Sequence, residues 1–194
     1  MDRTCILGKD SLPRRISLAA GESLRLNLVA LGSASLDLEI CLDGEGAELD
    51  VAGLYLCSGQ EKVELRLNVR HNVPGCISRQ LFKGLVGGES KASFDGLVYV
   101  AHGAVRTKAA QENHSILLSG AAVAESRPQL EIYADDVECS HGATTGYLDV
   151  DEQFYMRSRG IPEAEARRLQ MLSFLSPVLS RLEDSLQEEI IAKL

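Results

Sequence analysis

Tryptophan is absent from this 194-residue chain, and aromatic residues make up only 5% of it. A core with so few rings has to be built from Leu, Val, Ile and Ala. The 45% apolar content supplies them, and such a core suits thin stacked strands better than a bulky sandwich. Basic charge is also short: 20 Lys and Arg against 28 Asp and Glu leave a net charge of −8. A nucleic acid or an anionic membrane needs a basic surface, so neither is an expected partner. No apolar run approaches the length of a membrane span, and no signal-peptide pattern opens the chain. Cysteines stand at 5, 41, 57, 76 and 139, an odd number with no CxxC pair. That argues against a secreted disulfide framework and for a reducing, cytoplasmic setting. Nucleotide and hydrolase signatures are missing too. Gly84-Leu-Val-Gly-Gly88 is not followed by Lys-Ser or Lys-Thr, and there is no HExxH and no Ser–His–Asp order. ATP hydrolysis, if it is needed, must come from a partner.

What is present is alternation. Ile16 and Leu18 form one short apolar run, Leu24, Leu26 and Leu28 the next, and Leu36, Leu38 and Ile40 another. Leu49 and Val51, then Leu54 and Leu56, then Val63, Leu65, Leu67 and Val69 follow. Each break holds Gly, Asn or Asp, which predicts strands separated by turns. Breaks at intervals of roughly 10–15 residues suggest stacked repeats. Beyond Gly75, Phe94, Leu97, Val98 and Val100 read as one ladder, and Ala104–Val105 and Ile116–Leu118 as others. A sandwich, a jelly roll and a parallel β-helix all fit this pattern. Monotony of Leu, Val and Ala favours the β-helix, whose coils stack like side chains.

The pattern changes after Tyr147. Asp149 or Asp151 is placed to cap a short helix that runs through Phe154 and Tyr155 to Gly160. Pro162 sits at the first turn of a second helix, with Leu169, Leu172 and Phe174–Leu175 as its apolar face. Pro177 is expected to kink or restart it. Leu175, Leu179, Leu182, Leu186 and Ile190 then fall on one stripe at helical spacing. The expected division is a β domain over 1–148 and a helical subdomain over 149–194.

The most informative stretch is Arg127 to Gly146. It reads as two short strands around a turn at Asp135–Asp136. Val137, Cys139 and His141 fall on one face of the second strand, and Gly142 ends it. A thiol and an imidazole two residues apart on one face are both metal-ligand types. For His141 the ordinary alternative is a buried histidine holding a backbone carbonyl, and for Cys139 a small buried hydrophobe. Glu138 and the Asp135–Asp136 pair are hard-ligand types, though acids at a turn are usually just solvated. His71, His102 and His114 are scattered and read as surface or core residues.

Pro128-Gln-Leu-Glu-Ile-Tyr-Ala-Asp-Asp-Val followed by Cys139-Ser-His-Gly-Ala-Thr resembles the C-terminal signature of the SufB/SufD family, closer to its D-type members. These are scaffold subunits of the Suf iron–sulfur cluster assembly system. The likeness extends through Phe82-Lys-Gly-Leu, Phe94-Asp-Gly, Gln111-Glu-Asn-His-Ser-Ile-Leu-Leu-Ser119 and Phe154-Tyr-Met-Arg-Ser-Arg-Gly-Ile161. It implies a right-handed parallel β-helix with a small helical appendage. It implies a non-enzymatic subunit that pairs with a B-type subunit and docks the ABC-type ATPase SufC on its C-terminal helices. Leu179, Leu182, Leu186 and Ile190 are the candidate docking stripe, with packing on the β-helix end as the alternative use. His141 is implied as a metal-site residue at the subunit interface, and Cys139 as a weaker one. No cofactor is expected on the isolated chain, which should form a homodimer; iron or a nascent cluster belongs to the complex. The B-type subunit carries an essential cysteine one coil before its histidine, and the corresponding region here, Ala121 to Ala124, has none. Family members usually carry an N-terminal region that this chain does not show, so a short form is expected. Competing readings are a shortened homologue with a separate interaction role, or a β-helix enzyme such as a lyase or a hexapeptide acyltransferase. The missing strict hexapeptide repeat and signal peptide weigh against the enzymes.

Overall fold

Apolar alternation between tight corners produces strands of nine or ten residues after two shorter ones, and the corners set how they stack. The computed structural model describes residues 1–194. It contains β1 (Asp2–Ile6), β2 (Arg15–Leu18), β3 (Ser23–Leu31), β4 (Ala34–Leu42), β5 (Glu48–Cys57) and β6 (Lys62–His71). Then come β7 (Ile77–Val86), β8 (Lys91–Val100), β9 (Lys108–Leu117), β10 (Val123–Ile132) and β11 (Glu138–Tyr147). Odd strands form one sheet in the order β1-β3-β5-β7-β9-β11, and even strands the other in the order β10-β8-β6-β4-β2. Every pairing is parallel, and each strand bonds the strand two places along the chain. The fold is therefore the expected parallel β-helix, two-sided and of about four turns. Register runs from Ser23 to Glu48 to Ile77 to Lys108 to Glu138. A full coil thus takes two of the short intervals visible in the sequence.

Side chains pointing between the sheets form the main core. Leu26, Val51, Leu67, Leu38, Ile40 and Val69 are all nearly inaccessible there. Phe82 and Phe94 meet across it, with ring centroids 4.7 Å apart. Two glycines make room for the rings. A Cβ on Gly53 would lie 2.1 Å from Phe82, and one on Gly84 would lie 1.8 Å from Tyr55. Corners stack as closely: Gly88 has φ +63, and its Cβ would lie 2.6 Å from the Gly59 backbone nitrogen.

Outside the odd-numbered sheet lies a second cluster. Val29, Ala52, Leu54 and Leu85 point away from the coil interior yet are buried. They are covered by α2 (Glu163–Leu179) and α3 (Asp184–Ile191), which follow α1 (Val150–Ser158). Asp149 caps α1, accepting from the backbone N–H groups of Asp151 at 2.8 Å and Glu152 at 3.0 Å. Gly160 follows that helix at φ +88. Pro177 lies inside the last turn of α2 and does not break it; the helix ends two residues later. Arg181 ties the end of α2 to the sheet with a 2.9 Å bond to Asp50.

Several local expectations change. Leu49–Val51 and Leu54–Leu56 belong to one strand, β5, and differ because the first pair faces inward and the second lies under the helices. Leu97 faces outward, unlike Phe94, Val98 and Val100. Ala104–Val105 sits in a corner, not a ladder, beside Arg106 at φ 58. Leu169 is exposed, because the buried face of α2 is Ala166, Gln170, Met171, Leu175 and Val178. Gly142 does not end its strand, which continues to Tyr147.

Candidate functional site

The last coil, β10 and β11, has nothing stacked on it. Residues that would be core in any earlier coil are therefore open. On β10 these are Ser126, Pro128, Leu130 and Ile132, paired with Phe94, Gly96, Val98 and Val100 below. On β11 they are Cys139, His141, Ala143, Thr145 and Tyr147, paired with Ala109, Gln111, Asn113, Ser115 and Leu117. Ile132 is 40% and Tyr147 66% exposed, and His141 is exposed as well. The two strands of the Arg127–Gly146 stretch do not pair with each other. They lie on opposite sheets, joined through a corner where Asp136 takes φ 54.

Both strands are sheet edges, and they differ as edges. β10 carries Pro128 in its middle and Glu125, Arg127 and Glu131 along it. Proline removes a ladder donor, and charges discourage pairing, so this edge is protected. β11 has one charge, Glu138 at its start, and no proline over ten residues. Glu138 is held to Lys108 at 3.0 Å. The unprotected edge is the one that bears His141.

His141 and Cys139 share the inward face, as the sequence pattern predicts. Cys139 is half-buried against Val98, Val100, Ala104 and Ala109. Burial pushes its thiol up from the usual range, which disfavours the thiolate that binds metals. His141 is not a buried histidine holding a carbonyl. The buried histidine is His71, which is inaccessible and bonds the Ser78 hydroxyl, not a carbonyl, at 2.9 Å through Nε2. Burial lowers His71 to about 4. His114 lies on the outer face, bonded to Thr144 at 2.7 Å and Glu112 at 3.1 Å. His102 stacks on Tyr133 at 5.3 Å. Nowhere do three or more His, Cys, Asp or Glu side chains converge to hold a metal ion.

Beneath the open coil the core turns polar. Gln80, Gln111, Asn113 and Ser115 all point inward and are buried. Gln111 Nε2 donates to Gln80 Oε1 at 2.9 Å. Asn113 Nδ2 donates to Ser126 on the opposite sheet at 3.0 Å, and its Oδ1 accepts from Tyr55 at 3.1 Å. Tyr55 also bonds Ser115 at 2.7 Å, and burial raises its hydroxyl to about 12.

The helical stripe is placed differently from its proposed use. Leu179, Leu182, Leu186 and Ile190 are at most 9% exposed and pack against Val29, Ala52, Leu54 and Leu85. They seal the helices to the flank of the β-helix, not to its end, and a partner does not reach them while the helices stay docked. Exposed apolar side chains on the helices are instead Val150 at 73%, Phe154 at 73%, Tyr155 at 60% and Leu169 at 39%.

Residues 13–174 match the family model described as SUF system FeS cluster assembly, SufBD core domain. The chain belongs to the SufBD core family. It is 38% identical over 154 residues to the iron–sulfur cluster assembly protein SufD of Escherichia coli, covering 79% of this chain and 36% of that protein. It is 32% identical over 170 residues to a SufBD family protein of Synechocystis, covering 86% and 38%. A SufBD family protein of Mycobacterium leprae is 32% identical over 197 residues, covering 96% and 48%. The chain thus spans between about a third and a half of the length of these relatives.

Register refines one comparison within the SufBD family. One full coil before His141 stands Gln111, on the same sheet. Ala121–Ala124 lies half a coil away, in the corner and on the opposite sheet. Neither position is a cysteine. Sequence reasoning did not single out Gln111, and the thirty-residue spacing to His141 is the signal that would have found it. Pro128 likewise marks β10 as an edge strand, since proline is confined to such strands.

Proposed function

We propose that this chain is a non-enzymatic, D-type subunit of an iron–sulfur cluster assembly scaffold. It joins a B-type SufBD chain edge to edge through β11, so that His141 lies at the joint. One observation carries this reading: the uncapped last coil has an unprotected ten-residue edge, and the exposed His141 sits in the middle of it. An open strand edge is a template for another chain. The apolar rim of Leu130, Ile132 and Tyr147 gives such a partner surface to bury. A single imidazole is an incomplete shell for iron, which is the cargo here, so the partner has to supply further ligands. In the absence of a B-type chain the same edge supports a homodimer.

Docking of an ABC-type ATPase of the SufC kind is assigned to the outer faces of α1 and α2, with Phe154 and Tyr155 at the centre. Aromatic side chains this exposed are suited to anchor a partner. The amphipathic stripe Leu179–Ile190 serves the same function indirectly, by holding those helices on the sheet.

Co-expression with a B-type subunit and SufC, followed by size-exclusion chromatography, tests the proposal. A species containing all three chains is expected. Separate elution of this chain, as a monomer by light scattering at high concentration, would contradict it.

A further inference from the structure

Gln111 Oε1 and Gln80 Nε2 are buried polar atoms of the coil interior without hydrogen-bond partners, and Gln111 is the one next to the open coil. Its side chain is fully buried, yet Oε1 makes no hydrogen bond. The other end of the same carboxamide, Nε2, is committed to Gln80 on the coil below. Oε1 is thus the end of the amide that Gln80 leaves free. Gly96 leaves space for this group: a Cβ there would lie 2.6 Å from Gln111 Nε2 and 2.7 Å from Oε1. Gln111 is therefore seated in a built slot across the core. The next rung of its ladder is His141, its direct register partner on β11. Neighbouring strands stand about 4.8 Å apart, and the exposed imidazole has to turn toward the coil interior to meet that oxygen.

Buried acceptors without partners are rare and call for an explanation. We infer that Gln111 is a positioning residue for His141: its Oε1 accepts the ring Nδ1–H and leaves Nε2 unprotonated and facing outward. Nδ1 is the ring nitrogen nearer the strand backbone, where the two residues are in register. Nε2 lies at the tip, on the open side of the coil. The hydrogen bond made by one ring nitrogen sets the state of the other. A neutral Nε2 with a free lone pair is the form able to ligate a metal. Gln80 extends the ladder one coil deeper by fixing the orientation of the Gln111 amide. The functional meaning rests on the reading of His141 as a cluster-site residue; the geometry does not.

Nitrogen NMR on histidine-labelled protein at mildly alkaline pH, without metal or partner, reads the tautomer directly. Free imidazole favours the Nε2–H form. In the parent chain His141 is expected to favour Nδ1–H, and in Gln111→Met, which keeps the volume, it should revert to Nε2–H. A parent His141 in the Nε2–H form overturns the inference. So does an Nδ1–H form that survives in Gln111→Met. Should Gln111→Met not fold, Gln111→Glu serves in its place. A charged acceptor should move the Nδ1 proton signal downfield, and an unmoved signal overturns the inference. None of these spectra depends on cluster assembly, so their failure is distinct from failure of the His141 reading, which His141→Ala decides.

Discussion

Replacing Leu175 by Ala tests how firmly the helices are fixed to the β-helix. Leu175 is inaccessible and packs in the seam that joins α2 and α3 to Val29, Ala52, Leu54 and Leu85 of the sheet. Truncation removes the burial of its side chain and leaves a cavity between a helix and a flat sheet, neither of which closes easily. Leu→Ala changes at such sites cost about 2–5 kcal/mol. At a urea dependence of about 2 kcal/mol per molar, this moves the unfolding midpoint down by about 1–2.5 M. Leu169→Ala, on the exposed side of the same helix, is the control and should stay within about 0.5 kcal/mol of the parent. Equilibrium urea unfolding followed by circular dichroism reads both. If Leu175→Ala unfolds at the same midpoint as Leu169→Ala, the helices are not packed on the sheet. A chain cut before Pro177 would likewise lose Leu179, Leu182, Leu186 and Ile190 and uncover the sheet. It is expected to aggregate rather than keep a folded β-helix, as soluble yield and dye binding to exposed apolar surface would reveal.

The interior polar residues give further expectations. His71 has a folded pKa of about 4 against 6.5 for an ordinary imidazole, because burial disfavours its charged form. Between those values the unfolded chain binds a proton that the folded chain does not, so stability is full above about pH 6.5 and falls as the pH drops toward 4. The loss is on the order of 3 kcal/mol, and His71→Asn should flatten that slope in urea midpoints measured across pH; an unchanged slope would refute the assignment. Tyr55→Phe leaves Asn113 Oδ1 and the Ser115 hydroxyl without their partner and should cost about 1–3 kcal/mol in the same assay. Gly84→Ala drives a Cβ to 1.8 Å from the Tyr55 ring and should destabilise by a similar amount or more. Phe154→Glu, on an exposed side chain, should leave the melting temperature unchanged while abolishing capture of SufC.

How much was legible in the sequence depended on which face a residue served. Inward ladders such as Val63, Leu65, Leu67 and Val69 alternate with polar neighbours, and period two exposes them at once. Leu54 and Leu56 did not read as part of the same strand as Leu49 and Val51 because their outward face is buried by helices more than a hundred residues later, which turns alternation into a continuous apolar run. The stripe Leu179–Ile190 was visible as amphipathic, but periodicity does not say whether its apolar side meets its own chain or another. Asp149 and Gly160 marked α1 because capping chemistry is local. Cys139 and His141 were placed on one face by parity alone. What went unread was Gln80 and Gln111. Glutamine reads as solvent-exposed, and only the thirty-residue register of stacked coils brings Gln111 under His141.

The most direct test of the scaffold assignment is the iron and sulfide content of the reconstituted complex carrying His141→Ala, compared with the parent at matched melting temperature. His141 is exposed on the uncapped coil, so the substitution should cost no more than its one inferred hydrogen bond to Gln111, about 0.5–1.5 kcal/mol. Cluster content is nevertheless expected to be lost. Full cluster content in the variant, or a large fall in melting temperature with assembly intact, would contradict the placement of His141 at the cluster joint.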